Sequence, residues 1–170
     1  MRAQAVLESE RLFLREFTAE DAMHLHRLNS HPLVMRYIRE PESPDESLET
    51  LDTALAYYAA NRPLGKLAAH EKSSGEFVGW FTLEHLDNTE KIELGYRMLP
   101  QFWRMGYATE LASVLLHHGF THGLPEVWGI THPENLASQR VLQKLGFEAR
   151  GPAVFYQKNV ILFHRANPFA

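Results

Sequence analysis

Cysteine is absent from this 170-residue chain. Disulfides, thiolate metal sites and a cysteine nucleophile are thereby excluded. No apolar run approaches the roughly 20 residues that span a bilayer, and the opening MRAQAVLESERLFLREF lacks the apolar stretch of a signal peptide. A soluble, cytoplasmic protein without membrane partners is expected. Positive charge is also in short supply: 17 Lys and Arg stand against 21 Asp and Glu, a net charge of −4. Nonspecific nucleic-acid binding needs a basic face and is disfavoured. There is no Gly-x-Ser-x-Gly elbow, no internal repeat and no low-complexity segment. What remains is 45% hydrophobic, ordinary for a globular chain long enough to bury a core. A single domain over 1–170 is expected.

The periodicities order the elements. RLFLREF (11–17) alternates as a first strand. Thr18 and Asp21 sit close to a capping box, and His31-Pro32 breaks the helix that follows, with LVMRYI adding a short second one. Ser43, Pro44 and Glu46 make a stronger start for a helix carrying Leu48, Leu51, Leu55 and Tyr58, closed by Asn61 and Pro63. Three strand candidates follow, KLAAHEK, EFVGWFTLEHL and KIELGYRML, joined by turn-like SSG and DNTE into an antiparallel meander. A helix after Gly106 ends near Gly123, EVWGI (126–130) is a short strand, and Pro133 or Asn135 opens a helix ending at Gly146. AVFYQKNVILFHR (153–165) reads as a hairpin turning at Gln157–Asn159, whose edge strand offers a route to a dimer. The order implies an α/β protein with a sheet of mixed strand direction.

The helix after Gly106 poses a chemical question. Its start has no Ser, Thr, Asp or Asn cap, and the preceding charges are Arg97 and Arg104. Free N–H groups and the helix dipole favour an anion there, and Gly106 with small Ala108 allows close approach. Either a phosphate group or plain water satisfies these amides. Glu110, one turn in, offsets the dipole in part.

Here the residues resemble a family. The run W103-R104-M105-G106-Y107-A108 is similar to the acetyl-CoA motif Q/R-x-x-G-x-G/A of the GNAT acetyltransferases. WRMGYATE resembles the W-G-K/R-G-Y-A-T-E run of the branch typified by ribosomal-protein N-terminal acetyltransferases (RimJ/RimL type), departing at Arg104 and Met105. IELGYRMLP, NLASQRVLQKLGF and ESERLFLREFTAEDA resemble the same branch, so the likeness spans essentially the whole chain. The resemblance implies a mixed, mostly antiparallel sheet of about six to seven strands, flanked by about four helices, in which two parallel strands splay apart. It implies that acetyl-CoA is the donor, with no metal. The amides of Arg104, Met105, Gly106, Tyr107, Ala108 and Thr109 would hold the pyrophosphate. Met98 and Leu99 would bond the pantetheine in strand fashion, joined by Asn135. Ser138 would lie near the sulfur and protonate the leaving thiolate, with Tyr107 a weaker alternative. Leu142 occupies the position where many members carry a Tyr acid.

Acetyl transfer needs a neutral amine, so a base must remove a proton. Glu93 is the first candidate, on a strand face with Gly95 and Arg97 and opposite Ile92, Leu94 and Tyr96. By resemblance that position overlooks the acceptor; the residues alone equally allow a solvated strand glutamate. Glu84 is second, and catalysis by proximity with water as base is a third route. Likewise Asn135 and Ser138 either cap their helix or serve the site. His118 and His122 have the i, i+4 spacing of a metal pair but no third ligand nearby, and fit better as charged histidines on a helix C-terminal dipole. The expected activity is direct acetyl transfer to a primary amine by a monomer or homodimer. The acceptor implied by resemblance is a protein N-terminal α-amine, with a polyamine, amino-acid analogue or antibiotic as the small-amine alternative. A non-catalytic CoA-binding module is the rival from another class. Helices at 19–38 and 44–62 should wall the acceptor, and their Glu40, Glu42, Asp45 and Glu46 either attract a cationic amine or form a solvated acidic loop.

Overall fold

Alternating apolar residues on eight strands decide the architecture seen in the computed structural model, which describes residues 4–170. The strands are β1 (Ala5–Glu8), β2 (Leu12–Glu16), β3 (Gly65–Glu71), β4 (Phe77–His85), β5 (Ile92–Met98), β6 (Glu126–Thr131), β7 (Glu148–Phe155) and β8 (Lys158–Ala166). Five helices accompany them: α1 (Ala22–Asn29), α2 (Pro32–Met35), α3 (Pro44–Asn61), α4 (Tyr107–Thr121) and α5 (Leu136–Lys144). They form one sheet in the order β1-β2-β3-β4-β5-β6-β8-β7, antiparallel everywhere except between β5 and β6.

The expected sheet and flanking helices are present, with eight strands against about six to seven and five helices against about four. The added strand is β1, whose four residues are too few to show a period. The short second helix expected at LVMRYI is α2, one turn that begins at Pro32 and is capped by the His31 ring, which accepts from the Leu33 N–H at 3.2 Å. The C-terminal hairpin begins earlier than expected, at Glu148, and turns at Tyr156 and Gln157, both left-handed at φ 50° and 60°. The Ser43–Glu46 capping box is present as expected: Ser43 Oγ accepts from the Glu46 N–H at 3.2 Å and Glu46 accepts from the Ser43 N–H at 2.7 Å.

Strand alternation sends one set of side chains to each face. Leu12, Leu14, Leu67, Ala69, Phe81, Leu83 and Leu94 enter the core that α4 closes with Leu111, Ala112 and Leu115. The opposite face, toward α1 and α3, carries a polar row. Cross-strand pairing sets Trp80 beside Arg97, Thr82 beside Gly95 and Glu84 beside Glu93. Arg97 reaches the end of α1, donating to Asn29 Oδ1 at 3.0 Å.

His118 stands in the last turn of α4, where a charged histidine was expected. Burial pushes its pKa below the ordinary histidine value, aided by His122, whose ring lies 4.0 Å away. The acidic-loop expectation also changes. Glu42 is buried, ion-paired with Arg39, and accepts from Asn29 at 3.0 Å, Ser47 at 3.1 Å and Thr50 at 3.2 Å.

Candidate active site

The loop between β5 and α4 is built on two left-handed residues. After a 3-10 turn at Pro100–Phe102, Arg104 takes φ 60° and Gly106 takes φ 79°. Gly106 is the N-cap residue of α4, and no side chain caps the helix. Glu110 does not serve the dipole alone. It accepts from Ser9 Oγ at 2.7 Å and from the Arg11 N–H at 2.9 Å, and pairs with the Arg11 guanidinium at 2.6 Å. Arg11 thus stands at this helix end beside Tyr107, its guanidinium 4.5 Å above the ring, and a Cβ on Gly106 would lie 3.4 Å from its Nη2. Sequence reading missed this second cation because it arrives from the residue before β2, some 95 residues away in the chain. Tyr107 itself is buried with its hydroxyl bonded to Glu71, which commits it to β3 and away from an acid role.

Next to this loop the sheet opens. β5 and β6 share one residue pair, Glu93 with Trp128, although β5 has seven residues and β6 has six. Beyond that rung toward Met98 and Thr131 the ladder lapses. Leu99 donates to the Val78 carbonyl at 2.9 Å and accepts from the Phe102 N–H at 3.0 Å, so both of its backbone groups are engaged. By strand alternation the main chain of Tyr96 and Met98 then faces β6. The Met98 carbonyl accepts from the Trp103 indole at 2.8 Å.

Each side of the opening bears a different chemistry. Toward α1 and α3 lies Glu93, 9% exposed. Burial pushes its carboxyl up to about 7, against the lowering effect of the Tyr156 hydroxyl that donates to it at 2.9 Å. Tyr156 in turn accepts from the Asp87 N–H at 2.8 Å, while Asp87 accepts from the Tyr156 N–H at 2.8 Å. Glu84, the second candidate, is held by Lys66 at 3.7 Å. Burial lowers Lys66, whose ammonium lies 4.5 Å over Trp80, and pushes Arg97 down to about 10. Toward α5 lies Tyr96. Its hydroxyl donates to Ser138 Oγ at 3.3 Å across the opening, and burial raises its pKa. Asn135 caps α5, its Oδ1 accepting from the Ser138 N–H at 3.3 Å. Leu142 is buried on the same helix, against β6: a Cβ on Gly129 would meet it at 3.0 Å.

A family model for the acetyltransferase (GNAT) domain matches residues 11–148, which include the parted strands and the uncapped helix. The chain belongs to the GNAT acetyltransferases. It is 30% identical over 150 residues to the uncharacterized N-acetyltransferase YoaA of Bacillus subtilis, covering 86% of this chain and 84% of that protein. It is 32% identical over 158 residues to the FsC-acetyl coenzyme A-N(2)-transacetylase of Aspergillus fumigatus, covering 86% of this chain and 66% of that protein. Among solved structures, RimL, the ribosomal L7/L12 alpha-N-protein acetyltransferase in complex with coenzyme A, shares the fold at TM-score 0.80 and 16% identity, over 96% of this chain and 98% of that one.

In this GNAT acetyltransferase the structure brings together Glu93, Tyr96 and Ser138 about one opening, with Arg104, Met105, Gly106, Tyr107, Ala108 and Thr109 at its helix end. Two neighbours were not foreseen. Tyr156 and Tyr96 both reach the site through their hydroxyls. The IELGYRML run did place Tyr96 on the face opposite Glu93, but nothing local marks its partner on α5. A cleft of about 420 Å³ lies on the Glu93 side, walled by the segment Pro32–Pro41 and by His132 and Lys158. The Tyr37 ring stacks on His132 at 5.0 Å, which ties the segment after α2 to the end of β6.

Proposed function

We propose that this chain transfers the acetyl group of acetyl-CoA to the α-amine of a protein N-terminus, by direct attack in a ternary complex. The observation that carries the reading is the single rung between β5 and β6 beside the uncapped start of α4. An arm bearing amides can take the ladder positions that Tyr96 and the N–H of Met98 offer toward β6, the Met98 carbonyl being already bonded to the Trp103 indole. The amides from Arg104 to Thr109 suit a pyrophosphate, with Arg104 and Arg11 adding positive charge. Leu99 flanks the arm rather than bonding it, since both its backbone groups are used. Asn135 spends its oxygen on the helix cap and keeps its Nδ2 for the pantetheine.

The chemistry then divides between the two faces. Glu93, with its carboxyl near neutrality, accepts a proton from the ammonium, directly or through water, and the free amine attacks the thioester carbon. A main-chain N–H of the 94–99 stretch holds the charge that develops on the carbonyl oxygen. The carbon–sulfur bond breaks, and the thiolate takes the proton of Ser138, whose hydroxyl Tyr96 orients from the other side, while Ser138 is reprotonated through water by the second proton that the nitrogen sheds on becoming an amide, and Glu93 returns its proton to solvent. Proximity supplies much of the acceleration, as the thioester is already reactive.

The open cleft and the fold shared with RimL support a protein N-terminus as acceptor. The likeness to the FsC transacetylase supports a small-molecule amine as the second reading. Release of CoA should be followed with N-terminal peptides and small amines, polyamines included, side by side. The peptides are expected to lead. Turnover of small amines alone would overturn the acceptor, and acetyl-CoA binding without turnover of any amine would overturn the transfer. Acetyl-CoA in large excess should raise the melting temperature. Gly106→Val, which places a branched side chain at φ 79°, should abolish that rise; an unchanged rise would sink the assignment of the loop.

A further inference from the structure

The cleft on the Glu93 side carries more positive than negative charge, and we propose that the acceptor amine belongs to a molecule bearing a carboxylate, which docks between Arg36 and Lys158. The inference rests on the acetyl-transfer reading above and narrows its substrate. Three cations line the cleft, Arg36, Arg39 and Lys158, with Glu40 as the acid among its lining residues. Arg39 is already matched by the buried Glu42, whose remaining acceptor capacity goes to Asn29, Ser47 and Thr50. Arg36 lies 5.1 Å over the Tyr37 ring, and among the described residues neither it nor Lys158 has a carboxylate within ion-pair distance. Of the four acids that sequence reading offered to a cationic acceptor, two are spent, Glu42 buried in its network and Glu46 closing the cap of α3, while Glu40 and Asp45 stay exposed, so that among the described residues Glu40 is the one acid facing the three cations of the cleft.

The cleft also adjoins the elements that carry the site. Lys158 opens β8 two residues after Tyr156, the residue that bonds Glu93. His132 directly follows β6, on the side where β6 has parted from β5. The cations of the cleft are thus joined through the hairpin tip to the carboxylates of the site, Glu93 under Tyr156 and Glu84 paired beside it across β4 and β5. That polarity matches a molecule whose amine leads and whose carboxylate trails. A guanidinium takes a carboxylate in two parallel hydrogen bonds, and an ammonium adds point charge. A polyamine presents positive charge at both ends and is repelled by the cations of the cleft.

The carboxylate has two sources, the side chain of an acidic residue near a peptide N-terminus or the carboxylate of a free amino acid. The test uses the full chain with saturating acetyl-CoA and three peptides that differ only at the second residue: Asp, Asn or Lys. Free aspartate and spermidine form two further arms. Both cations are exposed, so each is worth a few-fold and the pair on the order of tenfold. The expected order of kcat/KM is Asp above Asn above Lys, with Asp over Lys by about tenfold at low salt and less at 0.5 M salt. In the double variant Arg36→Gln and Lys158→Gln the Asp-to-Lys ratio should fall to within about twofold. Arg36→Glu should invert the order. Free aspartate outpacing the peptides would assign the carboxylate to an amino acid rather than a peptide. A Lys peptide or spermidine equal to or better than the Asp peptide would overturn the inference alone, as would a ratio unmoved by the double variant. If no acceptor turns over while acetyl-CoA still raises the melting temperature, the transfer reading fails and this inference with it.

Discussion

At the scale of single residues, Glu93 holds the site's sharpest compromise. Its carboxyl is buried, carries a pKa of about 7, and keeps one hydroxyl donor. As a base it works only when ionised, so kcat/KM should rise with pH through about 7. Glu93→Gln should flatten that limb and lower kcat by about 10²-fold or more. Stability runs the other way. Because the folded pKa lies above the unfolded value of 4.5, the folded protein binds more protons between these pH values. Stability is therefore fully present below about 4.5 and is lost as pH rises through about 7. At pH 8 Glu93→Gln should melt no lower than the parent, and a large loss of stability there would mean that the residue is structural. Across the opening, Ser138→Ala should lower kcat by about 10–10²-fold with little change in the KM for acetyl-CoA. Tyr96 would remain in place, held by its stack on Phe81 at 5.5 Å. An unchanged kcat would remove Ser138 from the acid role and leave it as part of the α5 cap.

At the scale of elements, the loop before α4 shows what could and could not be read from sequence. The missing cap, the glycine and the strand before them were visible in LGYRMLPQFWRMGYATE, and the helix begins where they indicated. The backbone state of Arg104 was not visible. Nothing about an arginine announces φ 60°, yet this is the position at which the resembling branch carries glycine. The strain and the charge are thus coupled in one residue. Arg104→Gly should leave the melting temperature level or raise it by up to about 1 kcal/mol of stability, while weakening acetyl-CoA binding a few-fold; calorimetric titration and a melting curve on one preparation would read both. The capping box of α3 was legible because its spacing is local. Arg11 at the α4 terminus and Tyr156 on Glu93 were not, since each reaches the site from a segment distant in the chain, Arg11 from just before β2 and Tyr156 from the turn between β7 and β8. β1 was missed for another reason: four residues pair with β2 through a shifted register, which no alternation reports.

At the scale of the whole molecule, the polar layer between the sheet and α1–α3 acts as a second core. Arg97 on β5, Asn29 on α1, Glu42 and Ser47 of α3 form one connected chain of bonds, with Arg39 and Thr50 completing the glutamate. Removing a buried, paired charge leaves its partners unmatched. Glu42→Ala should therefore cost on the order of 3–5 kcal/mol, a fall in melting temperature of about 10 °C for a chain of this size. A shift of only a degree or two in a calorimetric melt would show that water replaces the carboxylate.

The lone rung between Glu93 and Trp128 has a mechanical meaning for the molecule. It divides the sheet into a plate of five strands, β1 to β5, and a plate of three, β6, β8 and β7. Near the rung the plates are clasped, because Asp87 and Tyr156 exchange hydrogen bonds at 2.8 Å and Lys91 sits 5.0 Å over Trp128. At the Met98 and Thr131 ends no ladder fixes their separation. The protein is thus jointed like a pair of tongs, with its pivot at the residue assigned to take the proton. A molecule that fills the missing rungs would therefore set the spacing of the plates at that end, where the Tyr96–Ser138 hydrogen bond crosses the opening at 3.3 Å.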